Sequence, residues 1–454
     1  MRSLYTLAWR IAAPLAPLRL WWRGRREPGY RERIGERYGR YDRPAPGGDV
    51  VWVHAVSLGE TRAAAPLVER ILRERPGATV VLTAMTATGR AAGRALFGDR
   101  VVQAWLPYDL PGAMRRFLAH FRPAFGLLME TELWPNLAAE AAIAKVPLFL
   151  VNGRLSERSL RRYEHVGSLL RPLLGSLAGV AAQTREDAGR LESLGARGVV
   201  VTGNLKFDFA PPGDAPALAA SLRTRYGAAR PVVLAASTRE GEEALILDAL
   251  PRAALPRGAL LVIVPRHPQR FDDVAALARA RGHVPWRRSS GLPVPADADV
   301  GLGDSMGEMA GYYGAADVAF IGGSLVPLGG QNLIEALAMG TPVLVGPHPF
   351  NFADAAQNAI DAGAAMRVAD AGAMLAQAAA LLGDDARRAA MRASAGRFLA
   401  AHRGATDRTW DFVSERLGRP DAGGGASPGP GARTGDRGAG AAEAAGRASP
   451  SAGG

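Results

Sequence analysis

Glu60 closes the segment His54-Ala-Val-Ser57-Leu-Gly59-Glu60, directly after the apolar run Val50–Val53. A carboxylate in the first turn of a helix that follows a buried strand stands at the mouth of a cleft. There it can take a proton from an attacking hydroxyl, as a general base. In Met129-Glu130-Thr131-Glu132-Leu133-Trp134-Pro135-Asn136 two more carboxylates follow another apolar run. Carboxylates at a strand end are expensive unless paired or used; Glu130, nearer the strand, is the one expected to enter the cleft. Lys206, in Thr202-Gly203-Asn204-Leu205-Lys206, is one of two lysines in the chain, the other being Lys145. Its compact ammonium suits a leaving phosphate or a substrate carboxylate.

A second set lies further along. Val318–Ile321 gives way to Gly322-Gly323-Ser324, then Pro327 and Gly329-Gly330, after which Leu333, Ile334, Leu337 and Ala338 recur at helical spacing from Gln331 on. Strand, glycine loop and helix start predict an anion site, because glycines let backbone N–H groups approach closely and the helix dipole adds partial positive charge. Asn332 is placed to cap that helix, and Glu335 to accept hydrogen bonds from a sugar diol. A phosphate with a ribose means a nucleotide. Arg266 and His267 follow the apolar run Leu260–Val264; the guanidinium offers bidentate contacts to phosphate and the imidazole a second donor. Met306-Gly307-Glu308 precedes a further helix, with N–H groups available to a base or phosphate. Ordinary strand-to-helix turns with dipole-stabilising acids use the same residue types, so the order of the elements has to decide.

Those elements alternate. Strand-like runs at Val50–Val53, Thr79–Leu82, Val101–Trp105, Phe125–Met129, Leu148–Val151, Gly179–Ala182 and Val199–Thr202 are separated by amphipathic stretches such as Glu60–Arg73, Pro111–Phe121, Leu137–Ala144 and Arg185–Leu194. The rhythm resumes at Val232–Ala236, Leu260–Val264, Val318–Ile321 and Val343–Val345. Buried strands alternating with helices mean parallel, doubly wound sheets. The fold class expected is α/β, with two Rossmann-like domains facing a cleft in the GT-B layout. The divisions expected are a membrane-interface helix and lead-in over 1–48, a first Rossmann-like domain over 49–210, a linker over 211–230, a second Rossmann-like domain over 231–417 and a disordered Gly/Ala/Pro/Ser tail over 418–454.

Composition narrows the partners. The chain of 454 residues has no cysteine, which excludes disulfides and thiolate metal sites, and its 7 histidines show no metal-binding spacing. The formal charge of +12, almost all arginine, points to an anionic partner. No aromatic-interleaved basic repeat or zinc-finger spacing accompanies it, so nucleic acid is not the partner expected. Near the start, Leu4, Leu7, Ala8, Ile11, Leu15, Leu18 and Trp22 fall on one helical face, interrupted at Pro14 and Pro17 and followed by Arg23, Arg25 and Arg26. A full span wants about 20 apolar residues, so such a short, broken stretch makes a poor transmembrane helix. It reads as a helix lying at a membrane interface, with aromatics at headgroup depth and arginines on acidic lipid phosphates.

The segments HAVSLGE, LPYDLP, METELWPN, NGRLSERS, GNLKFD, STREGEE, VPRHPQRF, SMGEM, GGSLVPLGGQNLIEA and GPHPFNF, in this order over roughly residues 1–415, resemble those of the 3-deoxy-D-manno-octulosonic acid (Kdo) transferases, glycosyltransferase family 30. Gly153 and Ser305 depart from the family's usual Ala and Thr without removing a functional group. The resemblance implies transfer of Kdo from CMP-Kdo to a lipid A precursor (lipid IVA) at the cytoplasmic face of the inner membrane, with inversion, no metal and no cofactor. It also implies acceptor binding in the first Rossmann-like domain and CMP-sugar binding in the second. Carried over by motif, Glu60 is the proton acceptor, and Glu130 and Lys206 stabilise the transition state. CMP contacts fall at Arg266, His267, Met306, Gly307, Glu308, Asn332, Leu333, Ile334 and Glu335. Another GT-B nucleotide-sugar enzyme, whether glycosyltransferase or epimerase, and a non-catalytic basic membrane-binding protein are the alternatives.

Overall fold

A computed structural model describes residues 1–25 and 27–418. The Gly/Ala/Pro/Ser tail and Arg26 lie outside the described residues, Gly418 excepted.

The first sheet contains β1 (Val50–His54), β2 (Thr79–Ala84), β3 (Val102–Trp105), β4 (Phe125–Met129), β5 (Leu148–Gly153), β6 (Gly179–Ala182) and β7 (Val199–Val201), all parallel, in the order β3-β2-β1-β4-β5-β6-β7. Helices cover both faces, so β1, β4 and β5 are buried along their whole length. That is why their sequences are apolar without alternation. From β1 the chain winds outward to β3, then returns to β1's other side for β4. The carboxyl ends of β1 and β4 therefore border the crevice where such sheets hold ligands.

The second sheet repeats the plan with β8 (Val232–Thr238), β9 (Leu260–Pro265), β10 (Trp286–Arg287), β11 (Val300–Leu302), β12 (Val318–Ile321), β13 (Val343–Val345) and β14 (Ala365–Arg367), ordered β10-β11-β9-β8-β12-β13-β14. Its crevice opens between β8 and β12. The strands β10, β11 and β14, each of three residues or fewer, had no separate sequence signal. Unlike the equally short but wholly aliphatic Val343–Val345, they contain Arg287, Gly301 and Arg367, so no continuous apolar run marks them.

The boundaries differ from the expected ones in two places. Most of the segment 211–230 is not a linker: Ala215–Tyr226 forms a helix whose Leu222 and Tyr226 are buried in the second core. At the other end, Ala405–Arg416 leaves the second domain and packs under the first sheet. Trp410, Phe412 and Val413 join Phe125, Phe149 and Leu205 in one apolar cluster. Asp208 anchors the return by accepting from the N–H groups of Gly404 at 2.7 Å and Thr406 at 2.6 Å. Aromatic burial against another domain is not visible in a local period.

The N-terminal stretch forms two helices, Arg2–Ala12 and Ala16–Arg23, with a tight turn at the expected break. Leu4, Leu7, Ile11, Leu15, Leu18 and Trp22 are all exposed, Leu18 at 69%. The opposite edge is docked: Trp9 stacks on Tyr108 at 5.7 Å, Leu20 is buried, and the Tyr38 hydroxyl donates to the Ala13 carbonyl at 2.7 Å. Among the described residues no helix is long and apolar enough to cross a membrane.

Candidate active site

Ser57 caps the helix Leu58–Glu74, accepting weakly from the Glu60 N–H at 3.4 Å. Glu60 reaches back, its Oε1 accepting from the Ser57 hydroxyl at 3.0 Å and its Oε2 from the Val56 N–H at 2.8 Å. The arrangement is like a capping box shifted by one residue, with the Val56 N–H in place of that of Ser57, and capping alone would hold the carboxylate ionised. The surroundings win instead. Burial, and then the neighbouring Glu130 and Glu132 carboxylates, raise the Glu60 pKa to about 8. A carboxylate held at two oxygens, with its proton affinity moved toward neutrality, has the properties of a general base.

Glu130 follows β4 in a left-handed conformation, φ 55°, which a non-glycine residue adopts only where its surroundings hold it. Its Oε1 accepts from the Lys206 ammonium at 2.8 Å. Lys206 comes from beyond β7, three strands away. It arrives because the turn Leu205–Asp208 is drawn inward by Asn152, whose Oδ1 accepts from the Leu205 N–H at 3.0 Å. The Lys206 ammonium also lies 5.2 Å above the Phe352 ring of the second domain.

Glu132, which the sequence ranks behind Glu130, belongs to the same cluster. The Trp134 indole donates to it at 2.9 Å, and burial, with Glu130 adding to it, raises its pKa to about 7. Fully buried His54 faces it, with Nε2 4.0 Å from Glu132 Oε2 and Nδ1 2.9 Å from the Thr83 hydroxyl. Burial lowers the His54 pKa to about 3, so the ring stays neutral.

Across the cleft, the loops after β11, β9, β12 and β13 line the carboxyl edge of the second sheet. The glycine loop is not the open anion cradle its sequence predicts. Its Gly323 and Leu325 N–H groups donate to fully buried Glu242 at 2.5 and 2.9 Å, while those of Gly330 and Gln331 bond to the carbonyls of Gly323 and Gly322. Glu242 also accepts from the Arg239 N–H at 2.8 Å, tying the loop after β8 to the loop after β12. The glycines serve fit instead: a Cβ on Gly322 would lie 2.5 Å from the Ser237 carbonyl, and one on Gly329, at φ 94°, 2.2 Å from Asn351. The Glu-Glu pair in STREGEE, directly after a strand, was the signal for Glu242.

The helix expected from Gln331 starts at Ile334 and has five residues. Asn332 does cap it, Oδ1 accepting from the Ile334 N–H at 3.1 Å, and its amide donates to Glu335 at 3.2 Å. Leu333 and Ile334 are core side chains, 1% and 0% exposed, so only their backbone can meet a ligand. Glu335 stands 3.7 Å from Arg62 of the first domain. Arg266, which donates to Gln331 at 3.2 Å, lies in the field of Arg62, Arg239 and Glu335. Burial, then Arg239, Arg266 and Arg270, lower the His267 pKa below its ordinary value, so it offers one neutral N–H. Met306 is exposed, and Glu308 is engaged by Arg288 at 3.0 Å and the Ser305 hydroxyl at 2.6 Å. Arg154 closes the rim, donating to the Asn351 carbonyl at 3.2 Å. Among the described residues no group of three or more His, Asp or Glu side chains could hold a metal ion.

Residues 32–209 match the family described as 3-Deoxy-D-manno-octulosonic-acid transferase (kdotransferase). The chain is 52% identical over 435 residues to the 3-deoxy-D-manno-octulosonic acid transferase of Bordetella pertussis, covering 92% of this chain and 100% of that one. It is 36% identical over 426 residues to the transferase of the same name from Haemophilus influenzae, covering 92% and 99%. A solved glycosyltransferase from Rickettsia africae matches with a TM-score of 0.56 at 15% identity, over 83% of this chain and 100% of that one. At that identity it speaks for the fold alone, which is GT-B. With likeness to both transferases running through nearly their whole length, the chain belongs to the Kdo transferases of glycosyltransferase family 30.

Proposed function

We propose that this Kdo transferase takes Kdo from CMP-Kdo and attaches it to a lipid A precursor, lipid IVA, with inversion and without a metal. One observation carries the reading: Glu60, held at both oxygens with its pKa raised to about 8, beside the Glu130–Lys206 pair. A primary hydroxyl does not ionise at neutral pH, so attack requires a base that takes the proton as the bond forms. Glu60 accepts it. The hydroxyl oxygen bonds to the anomeric carbon, the bond from that carbon to the phosphate oxygen breaks, and CMP leaves from the opposite face, which inverts the centre. Glu130 faces the positive charge that develops on the sugar. Lys206, with Arg266, neutralises the departing phosphate or the Kdo carboxylate. In the second domain Glu335 takes the ribose diol, and His267 with the backbone of Met306, Gly307, Glu308, Asn332, Leu333 and Ile334 completes the CMP contacts.

The exposed stripe Leu4, Leu7, Ile11, Leu15, Leu18 and Trp22, with Arg19, Arg23 and Arg25 beside it, supports a helix lying on the cytoplasmic face of the inner membrane, against anionic lipids. An acceptor anchored in that surface then meets the first domain without leaving the bilayer.

Incubating the protein with CMP-Kdo and lipid IVA, with and without EDTA, and weighing the products tests this directly. Products heavier by whole Kdo residues in both reactions are expected. Transfer from a different nucleotide sugar, or only with a metal present, overturns the assignment.

A further inference from the structure

Thr6 and Trp9 lie on the docked edge of the N-terminal helix, and each meets the frame of the acidic loop Met129–Asn136. The Thr6 hydroxyl donates to Asn136 Oδ1 at 3.0 Å. The Asn136 amide donates to the Asp109 carbonyl at 2.7 Å. The Asp109 carboxylate, fully buried, accepts from the N–H groups of Asn136 at 3.0 Å and Leu137 at 2.8 Å, capping the helix Pro135–Ile143 from a distance. Trp9 is tilted against Trp134, centroids 6.4 Å apart, and Trp134 donates to Glu132. A continuous path of polar and aromatic contacts thus runs from the helix edge to the carboxylates around Glu60.

We propose that Thr6 is a positioning residue for transfer, holding the start of the helix Pro135–Ile143 so that Glu130 and Glu132 stand correctly against Glu60. This rests on the roles given to Glu60 and Glu130 above. The loop between Met129 and Pro135 is short, and strained at Glu130, so a shift at Asn136 has no slack in which to dissipate. Misplacement by about 1 Å can lower a rate by about a hundredfold. A helix serving only as an anchor would make its docked edge irrelevant once the acceptor is dispersed in detergent.

The test uses full-length Thr6→Val and Thr6→Ser proteins with detergent-dispersed lipid IVA, well below their melting temperatures. Thr6→Val is expected to lower kcat by about 10-fold to 100-fold with the CMP-Kdo KM within about twofold. Thr6→Ser, which keeps the hydroxyl, is expected to restore most of the rate. Co-sedimentation with phosphatidylglycerol vesicles should stay at the wild-type level. Wild-type kcat in Thr6→Val overturns the proposal, as does loss of rate in step with loss of vesicle binding. A wild-type chain that transfers no Kdo overturns the functional reading itself, a distinct outcome.

Discussion

The Lys206 ammonium lies 2.8 Å from Glu130 Oε1, although the two residues follow strands at different positions in the sheet. Both side chains are largely buried, 15% and 20% exposed. Removing one partner leaves the other charge uncompensated. Lys206→Met should lower kcat by about 10²–10³-fold, the range for losing one electrostatic contact to a transition state. If the pair acts as a unit, Lys206→Met combined with Glu130→Gln should be little worse than either alone. Losses that multiply in the double variant would mean two separate roles.

Glu60 predicts an alkaline pH profile. A base with its pKa near 8 is mostly protonated at pH 7, so kcat/KM should rise with pH and level off above about 8. Glu60→Gln should cost about 10²–10⁴-fold in turnover while CMP still binds. A Gln variant within about threefold of wild type would exclude Glu60 as the base.

The same shift has a stability consequence of defined sign. Glu60 and Glu132 hold protons in the folded state at pH values where the unfolded chain has lost them. Stability contributed this way is present below the ordinary carboxylate range and falls as pH rises through about 7 to 8. Melting temperature recorded from pH 5 to about 8.5 should therefore decline, and Glu60→Gln should flatten the curve. A rise over that interval contradicts the assignment.

Glu242 should matter more to the donor loop than any glycine N–H free to meet phosphate. Glu242→Gln trades one acceptor for a donor against backbone N–H groups, and should destabilise by about 1–3 kcal/mol in urea titration. Stabilisation by CMP should shrink with it. An unchanged CMP response would mean that the loop keeps its shape without the carboxylate.

CMP should protect the fold better than UMP, AMP or GMP. A ligand at a hundredfold its Kd stabilises by about 2.7 kcal/mol, and Glu335→Ala should abolish most of that without unfolding the protein. If UMP or AMP raises the melting temperature more, the donor is not CMP-Kdo.

Deleting Met1–Trp22 should both release the protein from anionic vesicles and lower its melting temperature, since Ala13 and Leu20 are buried and Trp9 covers Tyr108. Loss of vesicle binding with an unchanged melting temperature would make the helix an independent anchor. Binding that survives the deletion would move the membrane surface elsewhere.

The sequence alone determined the repeating strand–helix order, the identity of the acidic, basic and glycine segments at strand ends, and the exposed stripe at the N-terminus. These are local properties: a buried parallel strand must be continuously apolar, and a strand end must break with glycine, proline or a capping group. What the sequence could not carry was which segments meet. Lys206 reaches Glu130 through Asn152, 53 and 76 residues being the separations involved. Glu242 fills the glycine loop from 81 residues upstream, and Trp410 returns to the first sheet. Such pairings depend on strand order, set by how two twisted sheets bury their faces, and one residue's chemistry does not reveal it. Glu132 illustrates the limit: its type was legible, but its proton affinity came from burial and from Glu130 beside it. Those exist only in the folded chain.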